Sequence, residues 1–276
     1  MRWEELTAAD FARAVHETQG VCVIAFGVIE KHSDHLPLGT DYLNGHRLCE
    51  LAARREPAVV FPPFYFGQIY EARCFPGTVT LPPALLLELA RAVFDEIGRN
   101  GFHKIVIHNA HGGNWAFLQF LTQCALAGRK PYTLYLQSEY LRGEERKAEW
   151  KRLLATDYHG HACECETSVT LANFPELVHM DRAPAEPAPP LGRMSHLPGC
   201  RAGIGWYANH PDHYAGDARP ATREKGEALL RLMVESLAEF IAAVKADRVA
   251  PALEREFFER SPLAPPPPTR TPPAGG

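Results

Sequence analysis

The chain has 276 residues, 46% of them hydrophobic and 22% charged, with a formal net charge of −4. That composition supports a packed globular core and offers no electrostatic footing for nucleic acid or an anionic membrane surface. No apolar run reaches the ~18 residues of a membrane span, the opening M-R-W-E-E-L does not read as a signal peptide, and seven irregularly spaced cysteines read as reduced thiols in a cytoplasmic protein.

Trp3 to Thr18 carries Leu6, Phe11 and Val15 at helical spacing, and the pattern predicts a surface helix. Val21 to Phe26 (V-C-V-I-A-F) reads as a buried strand. Asp41 to Arg54 reads as a helix with Thr40 as its N-cap and Leu43, Leu48 and Leu51 facing inward. Ala58 to Phe61 is a second strand, stopped by Pro62 and Pro63. Tyr65 to Pro82 is a long irregular loop, and a loop of that length in a compact domain usually serves function. Ala84 to Asn100 is an amphipathic helix, Lys104 to His108 a strand, Trp115 to Ala127 a helix and Tyr132 to Leu136 a strand. Alternating strands and helices predict an α/β fold with a mostly parallel sheet covered on both faces. In such folds ligands bind beyond the C-terminal ends of the strands.

The pattern loosens after Leu136. Arg142 to Leu154 reads as a charged helix. Asp157 to Ser168 (D-Y-H-G-H-A-C-E-C-E-T-S) is dense in ionisable groups, and Glu166 to Asn173 is helical in pattern. Cys163 and Cys165 form a C-x-C without a second cysteine pair, which argues against a structural zinc site. Pro184 to Pro190 is a connector, Gly203 to Gly216 a loop with aromatics and histidines, and Pro220 to Asp247 a long amphipathic helix. Residues 1–250 are expected to form one domain, and 251–276 a proline-rich tail, disordered or polyproline-like.

The densest polar segment is Glu30 to Asp41, E-K-H-S-D-H-L-P-L-G-T-D. It follows the first strand after a G-V-I step. Glu30 and His32 are two apart, so in extended backbone they point to one side. A carboxylate and an imidazole so placed make half a site for Zn²⁺, Mn²⁺ or Fe²⁺. Asp41 opens the next helix and can aim back at the same point. N-A-H-G-G-N (residues 109–114) stands at the end of the Lys104 strand, where His111 can join them. His35 is expected to orient a ligand or to serve structure, His108 to be a satisfied buried histidine, and Asn114 to cap the following helix.

E-K-H-S-D-H-L-P-L-G-T-D, F-P-G-T, N-A-H-G-G-N and H-A-C-E-C-E-T-S occur in that order, and the chain thereby resembles the creatininase (creatinine amidohydrolase) family from about Val21 to the C-terminal helix. The resemblance implies a three-layer α/β/α domain, a two-metal site with Zn²⁺ as the foremost metal (Mn²⁺ or Fe²⁺ as alternatives), and a homo-oligomer, hexamer or dimer. It assigns Glu30, His32, Asp41 and His111 as metal ligands, with Asp41 bridging. The family's glutamate two residues after the histidine falls on Gly113, which cannot ligate, so Glu166 becomes a candidate ligand as well as a catalytic carboxylate. His161 takes the position of the family's acid/base histidine. Ser33 and Cys163 stand where glycines are usual.

The function this implies is hydrolysis of a non-peptide carbon–nitrogen bond in a small cyclic amide or formamide. A hydroxide bridging two ions would attack the carbonyl while His161 carries a proton to the leaving nitrogen. Two alternatives stand beside it: a peptidase acting on a short modified peptide in cofactor maturation, and a relative that binds metal or ligand without turnover. Glu71 and Tyr70 in the long loop, and Trp206 and His210 in the later one, are expected to line the pocket.

Overall fold

In the computed structural model, which describes residues 1–260, four parallel strands form the centre: β1 (Val21–Phe26), β2 (Val59–Val60), β3 (Lys104–Asn109) and β4 (Thr133–Leu136). Their spatial order is β2-β1-β3-β4. Side chains alternate between the faces of a strand, and here both faces are apolar. Cys22, Ile24, Phe26, Ile105 and Ile107 join one hydrophobic cluster. Val21, Val23, Ala25 and Val106 join the other.

Helix α1 (Ala8–Glu17) covers the first face, and α2 (Thr40–Arg55) the second. α3 (Pro83–Arg99) and α4 (Trp115–Cys124) complete the first layer through Phe94, Ile97, Leu118 and Leu121. After α5 (Glu144–Leu153), a two-stranded antiparallel ribbon pairs β5 (His159–His161) with β6 (Ala215–Gly216), and α6 (Glu164–Asn173) and α7 (Gly205–Asn209) lie between its strands in sequence. α8 (Arg223–Ala246) completes the second layer with Val234, Leu237 and Ile241. Each such large side chain, fully buried, stabilises by about 1.5–3 kcal/mol. The predicted three-layer α/β/α architecture is observed. The β5–β6 ribbon was not anticipated, because H-G-H and A-G are too short to show a strand period.

α6 crosses α8 at Gly226, where a Cβ would lie 1.8 Å from the Ser168 carbonyl oxygen. Only glycine permits that approach. Lys104, at the start of β3, buries its ammonium under α8 and donates to the carbonyls of Val244, Lys245 and Asp247 at 2.6, 2.8 and 2.7 Å. A cation there meets the unpaired carbonyls and negative dipole end of the helix.

Three expectations change. α2 begins at Thr40 with Gly39 as N-cap; the Thr40 hydroxyl instead donates back to the Pro37 carbonyl at 2.6 Å. Asn114 makes no side-chain cap for α4. Its amide accepts from the Gln68 N–H at 2.7 Å and donates to the Phe26 carbonyl at 3.0 Å, tying the long loop to the end of β1. The third concerns the expected 251–276 tail. Helix α9 (Val249–Glu259) occupies its first part, with Pro251 in the opening turn, where a missing N–H costs little. Glu254 there accepts from the Thr133 hydroxyl on β4 at 2.5 Å. The remaining tail, 261–276, lies outside the described residues.

Candidate metal centre

β1 and β3 pair in register from Val21 opposite Lys104 to Phe26 opposite Asn109. The strands therefore end level, and the segments carrying Glu30 and His111 emerge side by side. The first turn of α2 brings Asp41 to the same point, β5 brings His161, and the first turn of α6 brings Glu166. Ser33 turns the chain between His32 and Asp34 at φ 55°. That left-handed conformation explains a preference for glycine here, and a serine adopts it at a cost of about 1–2 kcal/mol.

Asp41 sits between two histidines. Its Oδ1 lies 3.0 Å from His32 Nε2, and its Oδ2 lies 2.9 Å from His111 Nδ1. Glu30 Oε1 lies 2.8 Å from the same His111 nitrogen. The other oxygen of Glu30 meets His213 Nε2 at 2.6 Å. Trp206 Nε1–H donates to His213 Nδ1 at 3.1 Å, so the His213 proton sits on Nε2 and is given to Glu30. Glu166 accepts from the Ala162 backbone N–H. His161 donates Nε2–H to the Lys31 carbonyl at 2.7 Å and lies tilted against His32 with ring centroids 4.1 Å apart.

Three overlapping groups of donors lie close enough to hold ions: Glu30 with Asp41 and His111, His32 with His161 and Glu166, and Glu30 with His161 and His213. In each, the donor atoms lie within 4.8 Å of one another. Three observations show that these residues fit divalent cations. Glu30 Oε1, Asp41 Oδ2 and His111 Nε2 are buried without a hydrogen-bond partner, although buried polar atoms are normally satisfied. His32 Nδ1 faces the Glu30 carbonyl at 3.3 Å, which turns the Nε2 lone pair toward the Asp41 carboxylate. Two acceptors at 3.0 Å repel unless a cation or a proton sits with them. The donor set of carboxylate and imidazole is also one that Zn²⁺ and its neighbours favour.

The electrostatics carry the same message. Burial works against a charge on His32, but Asp41 and its hydrogen bond outweigh burial and raise that histidine to about 9. His111 is likewise disfavoured as a cation by burial, yet Glu30 and Asp41 raise it well above the usual range. Burial would push Glu30 up, but the charge on His111 and the hydrogen bonds from His111 and His213 hold it well below the usual carboxylate range. Burial, with Cys163 nearby, raises Glu166 to about 8. Burial and His32 keep His161 neutral, its pKa well below the ordinary value. A cluster with this many buried carboxylates demands positive charge.

A cavity of about 270 Å³ opens on the cluster, lined by Glu30, His111, Glu166, His161, Trp206 and His213 together with Glu71. A Cβ built on Gly113 would lie 2.4 Å from His111 Nε2 and 2.6 Å from Glu71 Oε1. The long loop thus puts a carboxylate where a side chain at position 113 would begin. A second, larger cavity of about 550 Å³ shares Gly112, Gly160 and Glu166 with the first and adds Tyr140, Leu141, Trp150, Leu230 and Met233.

All five sequence-predicted ligands, Glu30, His32, Asp41, His111 and Glu166, come together, as does His161. His35 stands behind them, with Nε2 on the Thr167 hydroxyl at 2.9 Å. His108 is buried and bonded to Gln137 at 2.7 Å. Tyr70 turns to the Leu81 carbonyl, and His210 pairs with the Tyr158 hydroxyl; neither lines the smaller cavity. The residue that sequence reasoning missed is His213. It lies three positions beyond His210 in N-H-P-D-H, and nothing in the spacing distinguishes the two.

A family model described as Creatininase: Creatinine amidohydrolase matches residues 4–241. Among curated proteins, the creatinine amidohydrolase of Pseudomonas putida is 27% identical over 254 residues, covering 86% of this chain and 94% of that protein. The mycofactocin precursor peptide peptidase of Mycolicibacterium smegmatis is 31% identical over 243 residues, covering 86% and 90%. Solved creatininase structures, among them a mutant of Zn-Zn type, superpose with a TM-score of 0.76 at 25% identity, over 89% of this chain and 98% of theirs.

Proposed function

The chain belongs to the creatininase family and is a metal-dependent amidohydrolase; from that premise we propose that its substrate is a small cyclic amide or formamide, cleaved at a non-peptide carbon–nitrogen bond. The observation that carries this reading is Asp41, whose two oxygens face His32 on one side and His111 on the other at 3.0 and 2.9 Å. Glu30, Asp41 and His111 would hold one divalent ion, and His32, Asp41 and Glu166 a second. Bound there, Zn²⁺, Mn²⁺ or Fe²⁺ supplies a Lewis acid for the carbonyl and lowers the pKa of water toward neutrality.

The chain's own groups then handle orientation and protons. His161 keeps Nε2–H on the Lys31 carbonyl, so its Nδ1 takes the proton of the attacking water. It passes that proton to the nitrogen as the carbon–nitrogen bond breaks. Glu71 Oε1 supplies the carboxylate that Gly113 lacks and orients the water as a hydrogen-bond acceptor. Gln68 holds Glu71 by donating to its other oxygen at 2.7 Å. Trp206 and His213 fix Glu30 through two successive hydrogen bonds, the kind of outer support that metal ligands require.

The larger cavity favours a second reading, a short modified peptide whose apolar part lies against Trp150, Leu230 and Met233. The 31% identity to a peptide peptidase supports it as well. A homo-oligomer, hexamer or dimer, is the proposed assembly, and sedimentation velocity tests it. The deciding experiment pairs metal content of protein purified without chelator with hydrolysis of cyclic amides, formamides and short peptides. About two ions per chain and turnover of a small amide, abolished by chelation, are expected. Turnover of peptides alone replaces the first reading with the second, and turnover that survives chelation overturns both.

A further inference from the structure

Another cluster of donors lies along the turn that carries His161 and Glu166. His159 opens β5, Cys163 is the N-cap of α6, and Cys165 lies in its first turn. The two sulfurs are 3.2 Å apart. One ligand atom from each of the three residues lies within 4.8 Å of the others. Cys163 is buried, and the other two are half-buried. None of the three belongs to the hydrolytic cluster described above.

The surroundings of His159 are built as those of a ligand would be. The Thr156 hydroxyl donates to Glu164 Oε2 at 2.8 Å. Its oxygen is therefore an acceptor for His159 Nδ1–H, 3.3 Å away. The same imidazole also engages Cys163. A histidine ligand normally has its other nitrogen held in this way. Glu164 is itself completely buried. It accepts from the Ala155 and Thr156 backbone N–H groups, each at 2.9 Å, and from Lys225. The C-x-C alone lacked a second cysteine pair, and the fold supplies a histidine from the preceding strand instead.

We propose that His159, Cys163 and Cys165 form a third metal site, selective for a thiolate-seeking cation such as Zn²⁺ or Cu⁺. Two thiolates and an imidazole match the softness of those ions, and three protein ligands leave one position open. His159 and Cys165 both line the larger cavity, so the open position faces the space that also reaches Asp41 and Glu166. On binding, two thiol protons pass to solvent and the ion clamps the turn between β5 and α6. An occupied site therefore stiffens the segment that carries His161 and Glu166.

Co²⁺ titration of the reduced chain tests this without reference to turnover. Thiolate ligation gives an intense sulfur-to-cobalt charge-transfer band in the near ultraviolet, which the oxygen and nitrogen donors of the hydrolytic cluster do not produce. The band is expected in the natural chain and in C74S/C200S, which lacks the two exposed thiols. Cys163→Ser and Cys165→Ser should each weaken it, and the double substitution should abolish it. Absence of the band in the natural chain, or its persistence in the double variant, overturns the proposal. The natural chain alone gives a second reading. One equivalent of Zn²⁺ beyond saturation of the hydrolytic site should slow alkylation of Cys165, followed by peptide mass spectrometry. Alkylation at an unchanged rate also overturns the site.

Discussion

The two ends of the β1–β3 pair treat buried charge in opposite ways. At the start of β3, Lys104 is 2% exposed, yet its ammonium donates to three carbonyls that end α8. Its three donors meet three acceptors, and nothing is left to bind. At the other end, Glu30, Asp41 and His111 are just as enclosed, but each keeps a buried atom without a hydrogen bond. A buried charge that serves structure is closed by its neighbours. One that serves chemistry keeps a valence open, and that open valence is the better guide to the site than burial or charge alone.

The largest test breaks the open end. Asp41→Ala should lose both ions by elemental analysis. Losing several kcal/mol of transition-state stabilisation should lower kcat/KM by about 10³-fold or more. A full metal complement in that variant would falsify the shared-ligand role.

The closed end should respond in the converse way. Lys104→Met keeps the apolar stem and strips the donors, leaving carbonyls unmet, and urea unfolding should show a loss of about 2–3 kcal/mol. Metal content should stay as it was. A variant that lost its ions instead would mean that the two ends are coupled through β3, and the contrast between them would fail.

Smaller changes sharpen how the open end is held. His213→Asn cannot span the same distance to Glu30, and a loss of ~10–100-fold in metal affinity or activity is expected, as for outer partners of metal ligands. Trp206→Phe removes only the N–H that orients His213 and should cost less than His213→Asn. The reverse order in kcat/KM would make Trp206 a substrate contact rather than a support. Glu71→Gln should lower kcat while metal content is preserved; loss of an ion there would make Glu71 a ligand.

Acidity separates the metal-free from the loaded protein. His32 is raised from 6.5 to about 9 by Asp41 despite its burial. Its contribution to stability is fully present below pH 6.5 and lost as pH rises through about 9. Chelated protein should therefore lose stability by urea titration across that window. Protein saturated with Zn²⁺ should lose less, since the ion takes the place of the proton. Equal slopes would show that His32 binds no ion.

Much of the molecule could be read from its residues. The strand runs V-C-V-I-A-F and K-I-V-I-H, buried on both faces, announced a parallel sheet, and helical spacing announced α3 and α8. The meeting of Glu30, His32, Asp41 and His111, the proposed ligands, was legible because they sit in short motifs at strand ends, where local geometry decides which way a side chain points. Tertiary structure alone decided the rest. Glu71 comes to the place left by Gly113, His213 rather than His210 reaches Glu30, and His159 joins Cys163 and Cys165. These meetings depend on how loops and a short ribbon pack across the sheet's end. No period or spacing in the chain encodes a contact between segments with no regular structure of their own.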